Sequence, residues 1–240
     1  MDHRKTTKAE RKEQARRERE EIERRRARAR RNQRMGVLAL LLLVAGGIAF
    51  AATRPRPDIP QVGDLLAQAD AAADTASCTK VSQPGPYDPA DEDRSHVDSI
   101  PSLETYASTP PASGPHSAST LPAGVYDSAP QIGQALHSLE HGAIIVWLDP
   151  GGPGPEQDRI EAFFEQSESR DHTIVAPYDY EGAAGVLPGG TGMALVSWHH
   201  IQTCARPSLA VAAAFADAYR TPTIAGGDYL GDAPEPGVPL

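Results

Sequence analysis

Two of the eight histidines and one carboxylate fall within five residues, at His137-Ser138-Leu139-Glu140-His141, and Gly142 follows them. Imidazole nitrogens and carboxylate oxygens are common ligands of zinc and copper, and a carboxylate beside bound zinc can also serve as a base. Spacing decides whether these groups act together. A helix turns by about 100° per residue, so His137 and His141, four apart, stand one above the other on one face. Glu140 falls on the same side. Ile132, Ala135, Leu136 and Leu139 fall on the opposite side, which predicts an amphipathic helix over 132–141 with an apolar back and a His/Glu/His front. Gly142 suits the position just past the helix end, where a left-handed conformation is needed.

His-x-x-Glu-His is also the spacing of the inverted zinc proteases, in which both histidines bind zinc and the Glu is the base. Any such site takes further protein ligands from elsewhere. His116 ends the proline-rich run Thr109-Pro110-Pro111-Ala112-Ser113-Gly114-Pro115, whose stiffness lowers the entropic cost of presenting a ligand. His96 sits in Arg94-Ser95-His96-Val97 and is an outer candidate. The candidate metal set is thus His116, His137 and His141, with His96 beside it and Glu140 as ligand, neighbour of a ligand, or base. Copper or zinc suits these donors. Met193 is the only methionine after Met35, which argues against a Cu(I) thioether site. The competing view is that the same groups hydrogen-bond among themselves and order a long loop.

The elements that must position these residues follow from the apolar pattern. Ala143-Ile144-Ile145-Val146-Trp147-Leu148 reads as a strand buried on both faces, followed by a loop at 149–154. Ile160, Phe163 and Phe164 predict a helix over 156–168. Thr173-Ile174-Val175-Ala176 is a short strand stopped by Pro177, residues 179–191 are a Gly-rich loop, and 193–198 is a further strand ending in His199-His200. Pro207 opens a second helix whose Leu209, Val211, Ala212, Phe215 and Tyr219 face the sheet. The predicted fold is α+β, with a β-α-β-β-α half after Gly142 and a long irregular Pro-rich segment at 84–135 laid over a small sheet. The extracytoplasmic globular domain is expected over 78–230, and the proline-containing tail 231–240 is expected to be disordered.

Charge divides the chain. Residues 1–34 carry fifteen Lys/Arg against seven Asp/Glu, a net of +8, so the remainder carries −17 of the total −9. Helix-forming residues dominate this basic arm, but over 4–34 Ile22 is the only large apolar residue. An uncharged stretch follows at 35–52, at the lower edge of the length that spans a bilayer as a helix. The basic cluster on its N-terminal side places 1–34 in the cytoplasm and everything after Ala52 outside. Anionic lipid is then the arm's expected partner, ahead of nucleic acid. Ala49-Phe50-Ala51 has the form of a signal-peptide cleavage site, but the long basic arm favours an uncleaved anchor. Residues 53–77 read as a stalk linker, with Val62, Leu65, Leu66 and Ala69 able to form a short amphipathic helix. Cys78 and Cys204 are the only cysteines, and both lie on the outer side, so a disulfide is expected.

Several motifs recur together: Ser113-Gly114-Pro115-His116, Gly124-Val125-Tyr126, His137-Ser138-Leu139-Glu140-His141-Gly142, Ile145-Val146-Trp147 and Ala176-Pro177-Tyr178. In order and spacing they resemble the family catalogued as domain of unknown function 3105, over roughly residues 78–220. The resemblance implies a membrane-anchored extracytoplasmic protein of the actinobacterial type, with His96, His116, His137, Glu140 and His141 at motif positions. It implies no particular activity. Three readings stand on these residues: a metal-binding ectodomain, a structural or assembly module at the cell envelope with no metal and possible protein partners there, and a zinc-dependent hydrolase using Glu140. The first two, neither of them an enzyme, take precedence. A pocket open beside Glu140 would favour the hydrolase.

Overall fold

The computed structural model describes residues 60–152 and 154–240. The basic arm 1–34, the apolar stretch 35–52 and the start of the stalk lie outside the described residues. Among the described residues no helix is long and apolar enough to cross a membrane. Residues Pro57–Leu240 form one compact unit.

Its centre is β2 (Ile144–Leu148), the uninterrupted apolar run, buried along its whole length. β3 (Thr173–Pro177) lies parallel to it on one side and β4 (Met193–Ser197) antiparallel on the other. β1 (Gly124–Val125) adds parallel to β3, and β5 (His200–Cys204) adds antiparallel to β4, giving the order β1-β3-β2-β4-β5. Side chains alternate across a strand, and that alternation sorts the core. Ile144, Val146, Leu148, Val175, Met193 and Leu195 face one layer, made by α1 (Val62–Ala76), α3 (Pro155–Phe164) and α5 (Leu209–Tyr219). Ile145, Trp147, Ile174, Ala176, Ala194 and Val196 face the other, made by α2 (Ile132–Glu140) and the irregular segment that precedes it. The α+β class is as expected.

Several details differ from the sequence reading. Among the described residues four strands follow Gly142 where three were expected, and β1 precedes it. β5 was hidden because β4 and β5 are joined through Trp198-His199 alone, with Ser197 opposite His200. Two-residue hairpin turns favour Asn-Gly or Asp-Gly. Here His199 itself takes the left-handed conformation at φ 59°. It is held by its N–H to the Ala112 carbonyl (3.0 Å) and by its Nε2 to Asp93 (2.8 Å). The helix expected over 156–168 is two pieces, α3 and the short α4 (Ser167–Arg170). Pro207 lies before α5, whose N-cap is Ser208. The stalk is also more than a linker. α1 inserts Leu65 and Ala76 into the core beside α5. Cys78, just after α1, is bonded to Cys204 at the end of β5, with Cα atoms 3.9 Å apart.

Candidate metal centre

α2 forms where its spacing predicts it, and its apolar back of Ala135, Leu136 and Leu139 is fully buried against the sheet. Gly142 follows at φ 88°, in the left-handed region its position requires. The front of the helix is not open to water: His137, Glu140 and His141 are all buried. Three strands of irregular chain cover it.

The first is the proline-rich run. Ser117 N–H donates to the Gly133 carbonyl, and Ser138 Oγ joins the Leu121 main chain through both its N–H (2.8 Å) and its carbonyl (2.9 Å). This contact is close because Gly133 has no side chain; a Cβ there would collide with Ile100 and Ser117. The second is the segment of Arg94 and His96. It runs parallel to the first, with the His116 N–H on the Ser95 carbonyl (2.9 Å) and the Val97 N–H on the His116 carbonyl (2.8 Å). That pairing places His96 beside His116. Asp93 anchors both, accepting from the Tyr87 N–H (2.6 Å) and Ser113 Oγ (2.7 Å). Burial pushes the Asp93 carboxyl up, but the His199 side chain and these donors outweigh it and hold it below its ordinary value. The third is the segment after Gly231. It was expected to be disordered from its prolines, but it runs across the end of α2. The N–H groups of Glu235 and Gly237 donate to the carbonyls of Glu140 (3.0 Å) and His141 (3.1 Å). These are helix-end carbonyls that have no partner within the helix.

The result is a cluster of four donors. One ligand atom each from His96, His116, His137 and Glu140 lies within 4.8 Å of all the others. His116 Nε2 is 3.0 Å and His96 Nε2 3.7 Å from Glu140 Oε2. Around a tetrahedral zinc or copper ion with bonds of about 2.0–2.1 Å, ligand atoms stand about 3.3 Å apart, so these separations bracket what an ion needs. His96, expected as an outer member, belongs to the set. His141 stands beyond it, with its Nε2 3.1 Å from His137 Nε2.

Three of these four rings are oriented from behind; the fourth, His96, is half exposed. His116 Nδ1 faces the Gly114 carbonyl (2.8 Å), His137 Nδ1 the Ser117 carbonyl (2.7 Å) and His141 Nδ1 the Pro239 carbonyl (3.0 Å). A carbonyl only accepts, so each of these Nδ1 atoms carries a proton and each Nε2 is turned toward the cluster. Oriented imidazoles of this kind are the usual support of metal ligands. His137 Nε2 faces His141 Nε2, and His116 Nε2 faces a carboxylate oxygen.

Glu140 is ionised throughout the ordinary pH range. Burial pushes its carboxyl up, but hydrogen bonds from His116 and Arg94, and their charges, outweigh it and hold it at about 2. Burial lowers the His137 imidazole, and the neighbouring His116, His141 and His96 add to this against the Ser117 carbonyl, so His137 favours the neutral, ligating form. Sequence reasoning missed Arg94, whose Nε donates to Glu140 Oε1 (2.7 Å), and Glu235, which accepts from Arg94 Nη2 (3.3 Å). Arg94 was visible only as a neighbour of His96, and nothing local marked Glu235.

No curated protein and no solved structure matches this chain. A family model described as "Protein of unknown function (DUF3105)" matches residues 96–228, more than half of the chain and a span that holds His96, His116, His137, Glu140 and His141. The chain belongs to that family.

Proposed function

We propose that this domain binds a divalent first-row transition metal, zinc or copper(II), through His96, His116, His137 and Glu140. The single observation that carries the reading is convergence. One donor atom each from His96, His116, His137 and Glu140 lies within 4.8 Å of all the others, and the His116 and His137 rings are held from behind with Nδ1 on a main-chain carbonyl. All donors are nitrogen or oxygen, which suits zinc or copper(II). The two cysteines are joined in the disulfide, and Met193 is buried on the opposite face of the sheet, so neither thiolate nor thioether reaches the cluster.

A hydrolytic role for Glu140 is disfavoured. A general base works best with a pKa near the operating pH, and Glu140 is held at about 2 with Arg94 on one oxygen and His116 on the other. A purely structural knot would use the same carbonyl contacts, but it does not require four donor atoms to converge within 4.8 Å of one another. We place the domain outside the cell membrane, anchored by 35–52, with the basic arm on anionic lipid. The Cys78–Cys204 disulfide supports an oxidising compartment.

Titration calorimetry of the full-length chain in detergent tests the metal reading. One equivalent of zinc or copper(II) is expected to bind, with the lower Kd for whichever ion the site prefers. His137→Ala is expected to weaken binding by at least about 10–100-fold. Binding that is absent, or unchanged in that variant, would refute it.

A further inference from the structure

The C-terminal segment touches the cluster at four points, and no metal ligand of the proposed set comes from it. The Pro239 carbonyl takes the His141 Nδ1 proton (3.0 Å). The main chain of Glu235 and Gly237 bonds the last carbonyls of α2. The Glu235 carboxylate meets Arg94 (3.3 Å) and lies 3.8 Å from His141 Nε2. The Val238 carbonyl bonds His172 Nε2 (3.0 Å), which ties the same segment to the start of β3. This segment also lies beyond the stretch that matches the family, which ends at residue 228.

We propose that residues 232–239 form a strap that closes over the metal site and controls release of the ion, holding the His141 ring against His137 from outside the donor set. This rests on the metal-binding reading above. The geometry is specific about how. His141 Nε2 faces His137 Nε2 at 3.1 Å, and the Pro239 carbonyl of the strap holds the His141 ring in that orientation. The strap thus braces the outer side of the His137 ring, which is a ligand of the proposed set. The strap has no helix or strand of its own. Its latch, Arg94 to Glu235, joins two side chains that are each about half exposed (52% and 49%). Such a contact opens readily, since exposed ion pairs contribute little. Lifting the strap frees the His141 ring, uncovers Glu140 and opens a way out for the ion.

The test uses the full-length chain with Zn(II) and Co(II) as probes. Two variants remove the strap: a chain ending at Gly231, and Glu235→Pro, which deletes one of the main-chain donors and the carboxylate together. Transfer of Zn(II) to a chelator is expected to be about tenfold faster or more in both. The Co(II) visible spectrum should change in both variants as the His137 ring loses its brace, and His141→Ala should give the same spectrum. If the shortened chain fails to fold by circular dichroism, Glu235→Pro decides. A wild-type chain that binds Zn(II) while both variants release it at the wild-type rate with an unchanged Co(II) spectrum overturns the strap alone. A wild-type chain that binds neither ion overturns the strap and the metal reading together.

Discussion

Glu140 is engaged on both oxygens, by Arg94 at 2.7 Å and His116 at 3.0 Å, while being only 3% exposed. Its carboxyl drops from an ordinary 4.5 to about 2 in the folded chain. A carboxyl depressed on folding stabilises the native state fully above its unfolded value. That contribution, of order 3 kcal/mol, is lost as pH falls from about 4.5 to about 2. Asp93 acts in the same direction, because its carboxyl is also lowered. The metal-free protein should therefore lose stability steeply below pH 4.5, and Glu140→Gln should flatten that loss while lowering stability at pH 7. Urea midpoints at pH 7 and pH 3 for both proteins measure it. An equally steep loss in Glu140→Gln would remove Glu140 from the account.

At the scale of elements, α2 works because it is covered on both sides, by the sheet and by the proline-rich run. Gly133 sets the distance of the second contact. Gly133→Val should push Ser117 outward, cost about 1–3 kcal/mol through overpacking, and weaken metal binding by releasing the Ser117 carbonyl that orients His137. Chemical denaturation and a zinc titration of the same preparation give both quantities. Wild-type stability in that variant would show that the run does not depend on this close contact. The comparison with the sequence is instructive here. The i, i+4 spacing of His137 and His141 fixed a helix face, and the apolar back fixed its direction, so α2 was legible to within one residue. The partners of that face were less so. His96 reaches His116 through main-chain pairing between two irregular segments, which leaves no periodicity to read. β5 was concealed by a turn built on Trp198-His199 in place of the usual glycine. The strap was read as disorder because its prolines cannot signal that two of its N–H groups meet α2.

At the scale of the molecule, the disulfide and the His/Glu cluster occupy opposite faces of the sheet. Cys204 packs with α1 and α5, and the histidines sit over α2. The covalent tie follows α1, the first described helix, and joins its end to β5. The proposed location outside the membrane predicts that protease added to intact spheroplasts degrades the domain beyond residue 60 while sparing the basic arm. Full protection of the domain, with the arm digested, would reverse the topology.

The central claim is that one ion sits among His96, His116, His137 and Glu140. The most direct measurement is an anomalous difference map from a crystal of the protein grown with zinc, recorded on both sides of the zinc absorption edge. The account predicts one strong peak on the covered front of α2, with imidazole nitrogens about 2.0–2.1 Å from it. A map with no peak there, or with zinc only on surface carboxylates, would contradict it.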